Sequence, residues 1–507
     1  MKNILEFLEN SARDHPEKVA FSDNKTQVTY ADLLDKAKAS GSYIAKILNC
    51  QTRKPVIVVA NRTIDTVAAF LGVVFSSNFY VPVDPKIPVE RKKLIFERIN
   101  PAAILLTKNN CYFLEGINDD QKQIFLEDSV NEEIDDQKLL RIRQSMIDTD
   151  PLFAIFTSGS TGVPKSVLIN HHSVIEFVET FSELFHFSNN VILGNQAPLD
   201  YDGSVKEICL TLRNSSTMHI IPKMFFSFPK NLFEYLDEKR VNTINWATSA
   251  LRIIAIHQAL DHKKPSYINK IFFSGEVMPN KVLNYFRKHL PDAKFVNLYG
   301  PTETTFNCSY FIVDRAFSDF DDLPIGLPFP NTEIILLDQD NYPVSQGEIG
   351  EIYVRGSSIA LGYYNDPQAT SKAFIQNPLN ESFPEIIYRT GDLGHHNALG
   401  ELMFDSRIDQ QIKHMGYRIE LGEIEAAINA LLFIEKAVCF HDDAHEKIVL
   451  FYQSPETCNK NILLSIKNRL PKHMIPNILI HQNKLPLKSN LKIDRVKLQK
   501  AYFNEVD

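Results

Sequence analysis

Residues 156–166 read FTSGSTGVPKS and follow a short run with the character of a strand. Hydroxyls and glycines in this order can turn backbone and side-chain donors toward an anion, and Lys165 adds a positive charge. The chemistry they suit is the holding of phosphate oxygens. A P-loop would require GxxxxGK[ST], and counting from Gly159 puts Pro164 where the second glycine belongs, so the Walker reading fails. Thr157, Ser158, Gly159, Ser160, Thr161 and Gly162 are the candidate phosphate contacts, with Lys165 as their cation. Such a loop in isolation is as often only a loop, and the surrounding segments decide.

The elements that must position this loop have an α/β rhythm. Short apolar runs at residues 55–60, 103–107, 153–157, 243–247 and 270–274 predict strands, and longer helix-like stretches separate them. Residues 333–337 and 350–355 read as strand, turn, strand, which predicts a smaller β-rich subdomain before Asp409. Beyond it the pattern predicts a helix over 421–433, strands over 436–440 and 447–452, and a helix near 462–470. The expected fold is α/β. A large N-terminal domain, 1–408, would hold layered α/β subdomains plus the β-rich one, and 409–507 would form a small α+β domain. No internal repeat or low-complexity tract interrupts this order.

The 507 residues are too many for a single hydrophobic core. With 44% hydrophobic and 23% charged residues the chain has an ordinary globular composition, and its net charge of -8 offers no basic field for nucleic acid. The six cysteines are scattered without a CxxC pair, which suggests neither a zinc knuckle nor a disulfide framework. Glu6 and Glu9 interrupt the opening segment where a signal peptide needs apolar residues, and no 18-residue apolar run follows. A cytoplasmic protein without a membrane partner is expected. The HisHis pairs at His171 and His395 lack the further ligands that would complete a metal site.

Further segments stand in a telling order: VTYADL from Val28, YVPVDP from Tyr80, NLYGPTE from Asn297, YRTGDL from Tyr388, SRIDQQIKHMGYRIELGEIE from Ser406, and SNLKIDR around Lys492. Together with the phosphate loop they resemble, over nearly the whole chain, the adenylate-forming superfamily of acyl-CoA synthetases, luciferases and the amino-acid adenylation domains of nonribosomal peptide synthetases. The resemblance implies ATP and Mg²⁺. A carboxylate attacks the α-phosphorus to give an acyl-adenylate and pyrophosphate, and a thiol then takes the acyl group. It implies that Asn297 and Tyr299 hold the adenine, Thr302 the α-phosphate, Glu303 the magnesium and Asp392 the ribose hydroxyls, with Arg407 beside the ribose. Asp409 would be the hinge of a mobile C-terminal lid. Lys492 would bridge the substrate carboxylate and the α-phosphate as the catalytic cation, joined in that task by Lys165, Thr302 and Glu303.

Asp202 in APLDYDGSVKEI is similar to the aspartate that amino-acid adenylation domains set against the substrate's α-ammonium, which favours an amino acid as the acid activated. A buried carboxylate without a partner is costly, and an ammonium ligand supplies one. By the same resemblance Gly203, Lys206, Asn245, Phe272, Ser274, Leu298, Phe306 and Asn307 line the side-chain pocket. Two readings of Lys206 stand side by side: an inward ammonium that favours an acidic or polar side chain, or a lysine that snorkels outward and selects nothing. The run FFSGEVMP from Phe272 also resembles D-alanine:carrier-protein ligases, although Ser274 stands where those usually have cysteine.

Asn78, Ser166, Ser406 and Leu491 replace glycines usual in the family, and glycine often marks a positive φ or a close approach. No LGGxS-like carrier motif follows Lys492, so the expected acceptor is a separate phosphopantetheinyl carrier protein, or coenzyme A. Two rivals remain: an acyl-CoA ligase for a non-amino acid, and a silent amino-acid or nucleotide sensor. Retention of Lys165, Thr302, Glu303, Asp392 and Lys492 argues against the sensor.

Overall fold

The computed structural model describes residues 1–117, 121–159, 164–409, 411–486 and 493–506. Among the described residues the N-terminal part carries two large sheets. A seven-stranded sheet runs through Pro55–Val59, Phe79–Val83, Pro151–Thr157 and Lys165–Asn170. A nine-stranded sheet has a parallel centre of Ile192–Asn195, Thr243–Ala247, Lys270–Ser274 and Lys294–Tyr299 and closes with antiparallel Ser309–Ile312. Parallel strands buried on both faces need near-continuous apolar sequence, and PVIVV at Pro55–Val59 is buried at all five positions.

The helix Ile64–Phe75 is buried along almost its full length, as its IDTVAAFLGVVF sequence requires. It packs on Tyr30–Ile47 through paired glycines: a Cβ on Gly41 would lie 2.6 Å from the Cβ of Phe75, and one on Gly72 2.6 Å from the Cβ of Ser40. Polar caps set helix starts elsewhere. Thr29 accepts from the Asp32 N–H at 3.2 Å, and Asn170 from the Ser173 N–H at 2.8 Å.

The strand-turn-strand pattern expected before Asp409 is an antiparallel five-stranded sheet containing Thr332–Leu337, Gly350–Gly356, Ile386–His396 and Leu402–Arg407. After it come a hairpin, Gln411–His414 with Tyr417–Glu420, and a three-stranded sheet with its own apolar core around Ile424, Ile448 and Ile462. A large N-terminal domain and a smaller C-terminal one result. The helix expected over 421–433 stops earlier, as Leu421–Asn429, because Ala430 onward turns to let Leu431 and Ile434 reach the core while Leu432 faces solvent. No helix is long and apolar enough to cross a membrane among the described residues.

Candidate active site

The phosphate loop joins Pro151–Thr157 to the return strand Lys165–Asn170. Thr157, Ser158 and Gly159 are buried at its entrance, and Ser158 donates its hydroxyl to the Arg418 carbonyl at 2.9 Å. Lys165 lies with Nζ 5.3 Å from the ring centroid of Tyr363. Ser160, Thr161, Gly162, Leu491 and Lys492 fall outside the described residues. Asn78, Ser166 and Ser406, the other glycine replacements, all have negative φ, so these positions do not need the left-handed geometry that glycine would serve. Asn78 works through its side chain instead, accepting from the Lys54 N–H at 2.8 Å and donating to the Gln51 carbonyl at 3.0 Å.

The segment NLYGPTE leaves the end of Lys294–Tyr299 and doubles back on itself. A Cβ on Gly300 would sit 2.5 Å from the Cα of Asn307, so only glycine permits the return. Thr305 and Phe306 then take φ of 52° and 75°, a strain of roughly 1–3 kcal/mol each that the buried surroundings enforce. This fold-back brings Thr302, Glu303 and Asn307 to one side. Thr302 donates its hydroxyl to Asp202 at 2.8 Å. Burial pushes the Asp202 carboxyl up, against the Thr302 hydrogen bond and the charge of Lys206.

Glu303 is fully buried, and accepts from the Tyr363 hydroxyl and from Arg418 Nη1, each at 2.7 Å. Burial alone would raise its pKa, but the Arg418 charge and the Tyr363 hydrogen bond hold it below the usual carboxylate range. Asn297 donates to the Pro324 carbonyl at 2.8 Å. The Tyr299 hydroxyl donates to Asp392 at 2.5 Å, and Arg407 pairs with the other Asp392 oxygen while also donating to Asp409 at 2.6 and 2.8 Å.

The residues expected to line the side-chain pocket are arranged by strand register. Asn245 lies opposite Phe272, and Phe272 opposite Val296, so Ser274 and Leu298, each two residues on, share that face. Gly203 and Lys206 come from the first turns of Asp202–Arg213. Lys206 is buried and points inward: Nζ donates to the Asn307 amide oxygen at 2.8 Å and to that of Asn245 at 3.2 Å, 5.8 Å from the Phe181 ring centroid. The outward, snorkelling alternative is thereby corrected. Burial pushes the ammonium down to about 8 against the charges of Glu207 and Asp202. Phe306 turns toward the core, its ring 5.2 Å from Phe177 and 6.2 Å from Phe153.

Several members of this cluster escaped sequence reading. Arg418 and Lys413 lie on the hairpin Gln411–His414 with Tyr417–Glu420, the latter with Nζ 5.8 Å from the Tyr299 ring, and Gly416 at the hairpin's turn donates its N–H to Glu276 at 2.7 Å. Their signal was the glycine turn and alternating charges of IKHMGYRIE, whose docking site is remote in the chain. Phe177, Phe181 and Tyr363 likewise carry no local motif.

Residues 8–364 match the family model described as AMP-binding enzyme, and the chain belongs to that family. It is an adenylate-forming ligase, of a family that uses ATP. Over 511 residues it is 30% identical to the D-alanine--D-alanyl carrier protein ligase of Staphylococcus aureus (strain Newman), covering 98% of this chain and 99% of that protein. It is also 30% identical to bacitracin synthase 1 of Bacillus licheniformis, covering 97% of this chain but 9% of that much longer protein. The crystal structure of IdnL1 superposes with a TM-score of 0.83 at 26% identity, over 96% of this chain and 99% of that one.

Proposed function

We propose that the protein activates an amino acid as its aminoacyl-adenylate and passes the aminoacyl group to the phosphopantetheine thiol of a separate carrier protein. The observation that carries this reading is Asp202. It is a buried carboxylate that accepts the Thr302 hydroxyl and the Gly203 N–H and forms no ion pair within 4 Å among the described residues, beside the Thr302 turn. A substrate α-ammonium at Asp202 supplies the missing counter-charge and points the substrate carboxylate toward Thr302.

In the first step a carboxylate oxygen bonds to the α-phosphorus of ATP as the bond to pyrophosphate breaks. Thr302 and Lys165 hold phosphate oxygens with the loop 157–162, and Asn297, Tyr299, Asp392 and Arg407 hold the adenosine. Lys492 is assigned the bridging cation by its motif. Glu303 is the residue that would hold Mg²⁺: a single buried carboxylate suits an ion that keeps water and phosphate oxygens as its other ligands. When bound, the ion neutralises charge building on the phosphates. In the second step the thiolate sulfur bonds to the acyl carbon and AMP leaves. We divide the chain at 408/409 and assign Asp409 the hinge between the two poses.

Lys206 has two amide oxygens as acceptors and three protons to donate. A substrate side chain with an acceptor, acidic or amide, completes the set. The test is amino-acid-dependent exchange of pyrophosphate into ATP, screened over L- and D-amino acids, with alanine included because full-length relatives bear that name. Exchange with an amino acid, lost in Asp202→Ala, is expected. Equal exchange with the matching acid lacking an amino group would overturn the reading, as would an unaffected Asp202→Ala protein. Activity with alanine alone would remove the role given to Lys206.

A further inference from the structure

Beside Lys206 runs a chain of polar groups, buried at Asn195 and Glu207 and half-buried at Arg62 and Asn245, whose polarity is set from one end. Arg62 donates to the carbonyls of Gln196, Ala197 and Ile221 at 2.9, 2.6 and 2.8 Å and to the Asn195 amide oxygen at 3.2 Å. The other end of that amide must therefore donate, and Asn195 Nδ2 meets Glu207 Oε2 at 2.6 Å and the Ser204 hydroxyl at 3.0 Å. Glu207, fully buried, accepts from Asn245 Nδ2 at 3.3 Å with its second oxygen. Both its oxygens thus receive N–H donors, the arrangement an ionised carboxylate demands. Asn245 has its oxygen left for Lys206.

We propose that Glu207 is a positioning residue for substrate selection, which keeps Lys206 an ammonium and turns the Asn245 oxygen toward it although Glu207 itself lines no part of the pocket. The inference rests on the reading of Lys206 given above. An amide has a donor end and an acceptor end of nearly equal shape, so only its partners choose its orientation. A carboxylate accepts at both oxygens and leaves Asn245 no choice. With glutamine at 207, Asn195 would claim the amide oxygen and the NH₂ would face Asn245. That residue would then have to turn its own NH₂ toward Lys206. The ammonium would lose an acceptor and an opposing charge together.

The groups facing Lys206 are Asp202 and Glu207 on its own helix, the amides of Asn245 and Asn307, and the ring of Phe181, while Arg62 faces the far side of the Asn195–Glu207 pair. Burial pushes the Glu207 carboxyl up to about 7 against the Asn195 hydrogen bond and the Lys206 charge, and Lys206 down to about 8, so Glu207 and Asp202 are the anions that oppose the loss of the Lys206 proton. Losing Glu207 lowers the pH at which the ammonium is lost.

The experiment measures KM against pH in pyrophosphate exchange for the best amino acid with an accepting side chain and for its aliphatic isostere, in wild type, Glu207→Gln, Asn245→Ala and Lys206→Met. For the accepting substrate KM should rise with pH as Lys206 deprotonates. In Glu207→Gln the rise should come about one pH unit lower, since a neighbouring opposite charge shifts a group by roughly 1–3 units. Asn245→Ala should shift the same way, and the aliphatic substrate should show no shift. A purely structural role would alter both substrates alike. A Glu207→Gln profile that coincides with wild type, while Lys206→Met changes selection, overturns the inference alone. If Glu207→Gln does not fold, Asn245→Ala decides in its place. An unchanged substrate spectrum in Lys206→Met, or no activity with any accepting side chain, overturns the Lys206 reading and this inference with it.

Discussion

Arg418, on the second strand of the hairpin Gln411–His414 with Tyr417–Glu420, donates Nη1 to the Glu303 carboxylate at 2.7 Å. Tyr363 donates to the other oxygen of Glu303, so each carboxylate oxygen carries one protein donor. The Arg418 guanidinium would compete with a metal ion for the charge of this carboxylate. We propose that this contact belongs to a thiol-transfer pose, with the hairpin withdrawn from Glu303 during adenylation.

Arg418→Ala is expected to separate the two half-reactions. Breaking a buried pair costs roughly 3–5 kcal/mol, and here the cost falls on this pose alone. Pyrophosphate exchange should stay within about twofold of wild type, and single-turnover transfer from preformed adenylate to carrier protein should slow by more than about tenfold. Equal losses in both steps would place Arg418 in adenylation instead.

Asp202→Asn keeps an acceptor for the Thr302 hydroxyl and removes the charge that meets the substrate ammonium. An uncompensated ammonium at a buried site costs several kcal/mol, so kcat/KM for exchange should fall by about a hundredfold or more. Far-UV circular dichroism and the melting temperature should scarcely move.

Gly300→Ala puts a methyl group where the backbone of Asn307 and Cys308 passes, at 2.5 and 2.7 Å. Backbone cannot yield as a side chain does, and overpacking of this kind costs typically about 1–3 kcal/mol. The urea midpoint should drop, and exchange activity should drop with it because Thr302 and Asn307 are carried on the same turn.

His171 is buried, takes the Ile4 N–H on Nδ1 at 3.4 Å, and is pushed by burial from 6.5 down to about 4 against the nearby charges of Asp150 and Asp148. The ring stays neutral in the fold while its unfolded counterpart binds a proton below 6.5. Its contribution to stability is therefore complete above that pH and is lost as pH falls toward 4, by about 3 kcal/mol. His171→Asn keeps an acceptor and removes the titration. Urea midpoints at pH 7 and pH 4 should fall less in the variant than in wild type, and parallel falls would refute the assignment.

Strands such as Thr243–Ala247 and Lys270–Ser274 were legible to the residue, because a short β-branched and aromatic run bounded by polar residues has one buried solution in an α/β layer. The motif residues were legible for a different reason: close approach to phosphate needs particular residue types in particular order. Asp202 and Thr302, a hundred residues apart, could be named from sequence, but that they touch could not.

What the amino-acid order determined by itself was the α/β rhythm, the family's motifs and the set of groups able to handle a nucleotide and a carboxylate, since these depend on local pattern and composition. Only the tertiary structure decided which way Lys206 points, which amide ends face it, and that Arg418 enters against Glu303. Those choices are settled by burial and by partners brought together from distant strands, and a linear chain holds no local record of which donors will meet which acceptors once water is excluded.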